Sequence, residues 1–267
     1  MIAEEKESLV KQVFSSVASK YDVMNDLMSM GAHRLWKDEL IRMIGYDAAS
    51  KAEPDLIPRH LDVAGGTGDI AFRSAIELTK CYQSTVKSMT STQVDTLLDD
   101  ERQVVVCDIN PDMLSVGRGR VVSAVGINTS KLIGFVEGNA ERLPFEDNSF
   151  DLYTIAFGLR NVTNKDVALK EAYRVLKPGG RIMIMEFSSL NNPMLQQMYD
   201  GYSFNVIPKI GELVANDRES YQYLVESIRK FPKQEELLGM VRAAGFGCAS
   251  YRNLTFGVVA VHSGFKI

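Results

Sequence analysis

Short apolar runs alternate with amphipathic stretches of helical period along most of this chain, beginning near residue 59. The apolar runs predict strands at 59–64, 103–109, 131–137, 150–157, 181–187, 251–255 and 258–263. The stretches between them predict helices at 67–80, 110–125, 165–176 and 234–244, with a turn at 178–180. This alternation is typical of an α/β fold with a mostly parallel, doubly wound sheet.

Three segments depart from the alternation. Residues 1–46 and 190–230 are mostly helical in pattern, so we expect an N-terminal helical segment, and a helical cap inserted into a domain of residues 47–267. The polar stretch 82–102 lacks periodicity and is expected to be a lengthened loop. The last two strands are joined by only Phe256 and Gly257, too short for a parallel crossover, and should form a hairpin with one antiparallel strand.

The glycine-rich sequence LDVAGGTGD at residues 61–69 joins the first strand to the first helix. Glycines let backbone N–H groups approach a ligand, and the helix N-terminus behind them favours polar or anionic groups. Asp62 is a poor neighbour for a pyrophosphate but suits a ligand with an amino group. The expected ligand contacts are Asp62, Gly65, Gly66, Thr67 and Gly68. An ordinary strand-to-helix turn is the alternative.

Two further polar positions follow neighbouring strands. Asp108 ends the second strand, where a carboxylate can bind both hydroxyls of a ribose. Asn139 and Ala140 follow the third strand, where an amide can bind the edge of an adenine. The alternatives are a helix-cap partner for Asp108 and a turn residue for Asn139.

The charge of these positions narrows the choice of nucleotide cofactor. Two carboxylates without a basic residue in the glycine loop favour a cationic cofactor that lacks phosphates. S-adenosylmethionine carries a sulfonium and an amino group, so the loop predicts this cofactor. A nicotinamide-dependent oxidoreductase and a non-catalytic scaffold that keeps the cofactor fold are the alternatives.

Composition limits the remaining classes of function. The net charge of −4 argues against nucleic-acid binding, and no apolar run reaches the length of a membrane span. The first eight residues carry three glutamates, so neither a signal peptide nor a presequence is expected in the chain as it stands. The three cysteines and three histidines are scattered, and we expect no disulfide framework and no metal site.

Several longer motifs carry a resemblance to one family. They lie at residues 21–37 (YDVMNDLMSMGAHRLWK), 155–163 (IAFGLRNVT), 174–180 (RVLKPGG), 186–188 (EFS), 221–228 (YQYLVESI) and 262–266 (HSGFK). The chain resembles the ubiquinone/menaquinone biosynthesis C-methyltransferases, and the resemblance covers nearly its whole length. It implies a Rossmann-like class I methyltransferase fold.

The resemblance also implies an activity and a location. Residues 82–102 and the sequence VVVCDIN at 104–110 are similar to the mitochondrial branch of the family. That branch implies C-methylation of a polyprenyl methoxy-benzoquinol ring in ubiquinone biosynthesis. It also implies peripheral attachment to the matrix side of the inner membrane and membership of a coenzyme Q biosynthetic complex. A homodimer is a separate expectation that does not come from the resemblance. Methylation of demethylmenaquinol and O-methylation of a small molecule are the alternatives.

Methyl transfer to a hydroquinone carbon needs alignment of the reactants and stabilisation of phenolate charge. We expect Arg160 to stabilise that charge, Asn161 to orient a hydroxyl or water, and Tyr21 to cover the site. His33 titrates near neutrality and is the alternative base. The structural alternatives are an ion pair for Arg160, a helix cap for Asn161, packing for Tyr21 and Trp36, and a structural role for His33.

A polyprenyl tail needs an apolar channel. Residues 193–214 are rich in methionine, aromatic and aliphatic side chains, which suit an adaptable apolar surface. A helical cap packed on the sheet and a dimer interface are compatible alternatives for this segment.

Overall fold

The computed structural model describes residues 26, 29–91, 98–190 and 218–267. Its strands are β1 His60–Val63, β2 Val104–Asp108, β3 Ile133–Glu137, β4 Phe150–Ala156, β5 Leu176–Phe187, β6 Phe246–Leu254 and β7 Val259–Lys266. Its helices are α1 Ala32–Ile44, α2 Tyr46–Ala52, α3 Asp69–Cys81, α4 Gln83–Ser91, α5 Pro111–Val125, α6 Ile127–Ser130, α7 Lys165–Val175, α8 Arg218–Arg229 and α9 Gln234–Ala243. Tyr21 and the apolar segment 193–214 lie outside the described residues.

The strands form one seven-stranded sheet in the order β3-β2-β1-β4-β5-β7-β6. Strands β1 to β5 are parallel, whereas β7 is antiparallel to both of its neighbours. A single turn of 3-10 helix, Thr255–Gly257, joins β6 to β7. The predicted α/β class, the parallel sheet and the terminal hairpin are therefore confirmed.

The sheet is covered on both faces because its central strands bury every side chain. In β2, Val104 and Val106 pack into one core, while Val105 and Cys107 pack into the other. This is the period of two that a strand imposes on its side chains. Helices α1, α3 and α5 contribute to the first core, and α7 and α9 contribute to the second.

Local sequence signals account for several helix ends. Asn110 caps α5, because its side chain accepts hydrogen bonds from the backbone N–H groups of Asp112 and Met113, and Pro111 occupies the first helical position. Gly45, at φ 85°, separates α1 from α2 in a left-handed conformation. Both features agree with the sequence pattern.

Two expectations about local structure were wrong. The segment 82–102 was expected to be a loop, but it contains helix α4 and a 3-10 turn at Asp99–Glu101. Helix α4 buries Val86, and its Thr85 hydroxyl donates to the carbonyl of Pro54. Among the side chains of α4 that the structure describes, only Val86 is buried, and one buried position gives no readable helical period.

The second correction concerns the turn expected at residues 178–180. Strand β5 already begins at Leu176, opposite Phe150, and resumes its pairing at Arg181, opposite Leu152. The residues between them are accommodated as an irregularity inside the strand, with Gly179 at φ 83°.

Within the described ranges, no helix is long and apolar enough to cross a membrane.

Candidate active site

The predicted site residues follow the carboxyl ends of four adjacent strands, β3, β2, β1 and β4. The strand order reverses between β1 and β4, because β2 and β3 lie on the far side of β1 and β5 lies on the far side of β4. This position is therefore the switch point of the sheet. Ligands of doubly wound folds bind in the crevice at such a point. The sequence motifs after these strands are therefore neighbours at one edge of the sheet.

The glycine loop between β1 and α3 needs its glycines for two reasons, close packing and a left-handed backbone. A Cβ on Gly65 would lie 2.8 Å from Asp62 Oδ2, and a Cβ on Gly68 would lie 2.9 Å from the Phe72 ring. Gly66 and Gly68 have φ of 55° and 87°, which disfavour a side chain. The loop thus packs closely against β1 and α3. The side chain of Thr67 is buried within it.

Asp62 has an unusual environment for a carboxylate. Its Oδ1 accepts a hydrogen bond of 2.7 Å from the Thr154 hydroxyl, while its buried Oδ2 has no hydrogen-bond partner. Burial raises the pKa of Asp62 from 3.8 to about 7, and the bond from Thr154 opposes that rise. A buried acceptor without a partner beside the glycine loop can receive a cationic amino group.

Asp108 links the glycine loop to the start of α5. Its Oδ2 accepts from the Gly66 backbone N–H and its Oδ1 from the Asn110 backbone N–H, both at 2.8 Å. Burial raises the pKa of Asp108 above its ordinary value, and these backbone bonds lower it. Asp108 thus makes the helix-cap contact that was its structural alternative. Its role in binding a ribose stays a prediction.

The loop after β3 is a turn built by Asn139. The side-chain oxygen of Asn139 accepts from the Glu141 backbone N–H at 2.8 Å, and the neighbouring Ala140 is nearly buried. Glu141 then accepts from the backbone N–H groups of Thr163 and Asn164, at 3.1 and 2.9 Å. Sequence reasoning missed Glu141, which ties the loop after β3 to the loop after β4.

Arg160 lies in a 3-10 turn, Leu159–Asn161, and forms a buried ion pair with Glu186. Its Nη1 is 2.8 Å from Glu186 Oε1 and also donates to the Phe157 carbonyl. The buried Nε of Arg160 has no hydrogen-bond partner. The ion-pair alternative for Arg160 is realised. Glu186 lies in the motif at residues 186–188, but the motif did not indicate that it would pair with Arg160.

Asn161 is the last residue of this 3-10 turn, and it is half-buried. The helix-cap alternative for Asn161 is wrong, because Asn164 occupies the N-cap position of α7. The role expected for Asn161, to orient a hydroxyl or a water, stays a prediction.

The segments after β1 and β4 approach each other closely at two strained residues. Ala64 and Phe157 have φ of 51° and 57°, a region that residues with a Cβ rarely adopt. A Cβ on Gly158 would lie only 2.5 Å from the Cβ of Ala64. Strain of this kind clusters at functional sites. Gly158 therefore lets the Arg160 turn pack directly against the glycine loop.

Helix α1 borders the same edge of the sheet. The buried Lys37 ammonium bonds Asp69, the first residue of α3, at 2.6 Å. Trp36 packs against Phe157 and Phe187 at centroid distances of 6.3 and 6.1 Å, and its indole N–H donates to Thr255. Trp36 thus packs in the core, as its structural alternative expected, and forms an aromatic cluster next to the Arg160 turn.

His33 lies on α1 and is nearly buried. Its Nε2 is 2.8 Å from Asp26 Oδ1, and its backbone N–H donates to the Ser29 hydroxyl. Burial lowers the pKa of His33 below its ordinary value, and Asp26 opposes that change. Its role as a base stays a prediction, as does the covering role of Tyr21.

Among the described residues, no group of three or more histidine, cysteine or acidic side chains could hold a metal ion.

Comparison with known proteins identifies the family. A model of the ubiE/COQ5 methyltransferase family matches residues 2–266, almost the whole chain. The chain belongs to the ubiE/COQ5 methyltransferase family. It is accordingly a methyltransferase, and its cofactor is S-adenosylmethionine. The resemblance read from the sequence motifs is confirmed.

Curated members of the ubiE/COQ5 family are similar along their length. The chain is 53% identical over 264 residues to 2-methoxy-6-polyprenyl-1,4-benzoquinol methylase, mitochondrial, of Oryza sativa subsp. japonica, covering 99% of the chain and 85% of that protein. It is 50% identical over 277 residues to the Homo sapiens protein of the same name, covering 99% and 81%.

Solved structures support the fold. A SAM-dependent methyltransferase from Thermotoga maritima matches with a TM-score of 0.55 and 19% identity, covering 96% of this chain and 99% of that chain. A methyltransferase of Haloferax volcanii, in complex with the activator Trm112, matches with a TM-score of 0.53 and 13% identity, covering 95% and 97%. Both have the class I methyltransferase fold expected from the motifs.

Proposed function

We propose that this chain transfers the methyl group of S-adenosylmethionine to a ring carbon of a 2-methoxy-6-polyprenyl-1,4-benzoquinol, a step of ubiquinone biosynthesis. The observation that carries the proposal is the identity of about half of all residues, over 99% of the chain, to relatives named for that reaction. The motifs at residues 155–163 and 186–188 build the Arg160–Glu186 pair at the proposed acceptor side.

The cofactor-binding roles follow from the contacts of the glycine loop. Asp62 presents a buried oxygen without a partner, which fits the amino group of S-adenosylmethionine. Asp108 and Gly66 are hydrogen-bonded to each other, so the carboxylate proposed for the ribose is fixed to the loop. The remaining contacts proposed for the cofactor are Gly65, Thr67, Gly68, Asn139 and Ala140.

The acceptor side is proposed to stabilise negative charge. Bound S-adenosylmethionine supplies an activated methyl group. The buried Arg160 Nε–H is a donor without a partner, suited to the oxygen of a phenolate. Glu186 holds the guanidinium in position, while Asn161, Tyr21 and His33 are proposed to orient or deprotonate the hydroxyl. Arginine cannot itself act as the base.

The reaction can be tested with the purified chain, S-adenosylmethionine carrying a deuterated methyl group, and a short-tailed methoxy-benzoquinol kept reduced. Mass spectrometry should find one labelled methyl group on a ring carbon, with both hydroxyls still exchangeable. Label on an oxygen would support the O-methyltransferase alternative. Transfer to demethylmenaquinol in preference to the benzoquinol would support the menaquinone alternative. Binding of NADH without S-adenosylmethionine would overturn the cofactor assignment.

We further propose a mitochondrial location, with peripheral contact to the matrix side of the inner membrane. The relatives are named mitochondrial. Phe256, in the turn between β6 and β7, is 82% exposed at the same sheet edge as the site. Leu35 is 70% exposed on α1, which touches that turn through the bond from Trp36 to Thr255. Exposed apolar side chains at one edge support contact with a lipid surface.

The membrane contact can be tested by flotation with vesicles whose lipids match the inner membrane. Co-flotation of the chain that is lost in a variant combining Leu35→Ser with Phe256→Ser would support it, and equal flotation of both proteins would contradict it. The proposed homodimer and biosynthetic complex are tested by sedimentation of the pure chain and by co-purification from mitochondria.

A further inference from the structure

Four buried polar side chains form a chain of hydrogen bonds that ends at the Asp62 carboxylate. Tyr46 Oη is 2.6 Å from Ser74 Oγ, which is 2.7 Å from His60 Nδ1. His60 Nε2 is 2.8 Å from Thr154 Oγ1, and Thr154 donates to Asp62 Oδ1 at 2.7 Å. The chain connects the start of α2 with the proposed cofactor site.

The register of the sheet explains why these residues meet. His60 and Asp62 alternate along β1 and therefore share one face. Asp62 is paired with Thr154 of β4, which puts the threonine beside the carboxylate on that face. Ser74 of α3 and Tyr46 of α2 cover the same face and complete the chain.

The hydrogen bonds of this chain can run in one consistent direction. An ionised Asp62 only accepts, so Thr154 donates to it and must accept from His60 Nε2–H. A neutral His60 then accepts at Nδ1 from Ser74, which accepts from Tyr46. Burial lowers the pKa of His60 to about 3, so the ring is neutral near pH 7. The donors and acceptors of all four side chains are therefore consistent with an ionised Asp62 that accepts from Thr154.

We propose that Thr154 and His60 are positioning residues for S-adenosylmethionine, because they hold Oδ1 of Asp62 and leave Oδ2 facing the cofactor's amino group. The inference rests on the proposed role of Asp62 in cofactor binding. If these hydrogen bonds had only a structural role, removing them would lower the stability of the protein. It would not change how cofactor affinity depends on pH.

The groups around Asp62 determine the direction of the effect. The carboxylates of Asp69 and Asp108 raise the pKa of Asp62, whereas the Thr154 hydroxyl and the nearby Ala71 backbone N–H lower it. Removing the hydroxyl takes away one of the groups that favour the ionised form. The variant should therefore bind a cationic amino group well only at higher pH.

The test is calorimetric titration of Thr154→Val with S-adenosylmethionine between pH 5.5 and 8. We expect the pH at which affinity is lost on acidification to move up by about one unit, which raises the dissociation constant at pH 7 about fivefold. Thr154→Ser keeps the hydroxyl and should stay within about twofold of wild type. Thr129→Val is the matched control, since Thr129 is also buried but bonds Thr79 on another helix.

Two further variants separate the possible failures. Ser74→Ala removes the 2.7 Å partner of His60 Nδ1 and should weaken binding by about threefold, which provides a test if Thr154→Val does not fold. Asp62→Asn tests the site itself. If Asp62→Asn weakens binding but the Thr154 and Ser74 variants keep the wild-type pH profile, the positioning role is refuted. If Asp62→Asn leaves affinity unchanged, the cofactor role of Asp62 fails first.

Discussion

Protonation of Asp62 should control the affinity for S-adenosylmethionine near neutral pH. Burial raises the pKa of this carboxyl to about 7, so the ionised fraction grows from about 3% at pH 5.5 to about half at pH 7. If only the ionised form binds the cofactor's ammonium, affinity should rise roughly fifteenfold over that interval. Above about pH 8 it should fall again, because an ordinary α-amino group loses its proton there.

Isothermal titration calorimetry at half-unit steps of pH measures this profile. Asp62→Asn should flatten the acid limb, while the fall above pH 8 remains. 5′-Methylthioadenosine lacks the amino acid part of the cofactor, so its affinity should not follow the protonation of Asp62. An acid limb of equal size in Asp62→Asn would refute the reasoning and move the titrating group elsewhere, with Asp108 the first candidate because burial also raises its pKa.

The same carboxyl makes a prediction for the stability of the free protein. A pKa raised from 3.8 to about 7 corresponds to ~4 kcal/mol of unfavourable free energy for the ionised form. Between pH 3.8 and about 7 the folded state therefore holds a proton that the unfolded chain has released. The stability that this proton contributes is lost as pH rises through 7. His60 acts in the opposite sense below about pH 6.5, because its folded pKa is depressed. Between pH 6.5 and 8 the free energy of unfolding should fall by about 1 kcal/mol more in wild type than in Asp62→Asn, as measured by urea unfolding.

Three further predictions concern the rest of the site. Arg160→Lys keeps a cation beside Glu186 but removes the unpartnered Nε–H. We therefore expect kcat to fall about hundredfold, while cofactor affinity measured by calorimetry stays nearly unchanged. A large loss of affinity would assign Arg160 to the cofactor instead. Gly158→Ala should destabilise the fold by about 1–3 kcal/mol because of its 2.5 Å approach to Ala64, and Ala64→Gly in the same chain should restore the melting temperature; no rescue would show that the two do not clash. Asp108→Ala should weaken cofactor binding at least tenfold with the sheet intact by circular dichroism, and unchanged affinity would remove it from the ribose site.

Local patterns were sufficient to predict the strands, most helices and the position of the glycine loop between β1 and α3. Consecutive apolar residues such as Val104 to Cys107 can only be buried on both faces of a sheet, and Asn110 with Pro111 marks a helix start without reference to the rest of the chain. The glycine loop and the family motifs could be read for the same reason, because each is a run of neighbouring residues. Helix α4 was missed because, among its described side chains, only Val86 is buried, and a single buried position leaves no period to detect.

The partners of the site residues were decided by tertiary structure. Arg160 meets Glu186 and Asp62 meets Thr154 only because β4 lies between β1 and β5. Gly158 is required by Ala64, almost a hundred residues earlier in the chain, and no property of either residue alone indicates that contact. Burial has the same origin: a carboxylate in a sequence has its ordinary pKa, and that of Asp62 moves to about 7 only when packed helices and strands remove its water. The sequence by itself thus determined which groups are present and on which element, whereas their charge states and partners depend on distances that only the folded sheet sets.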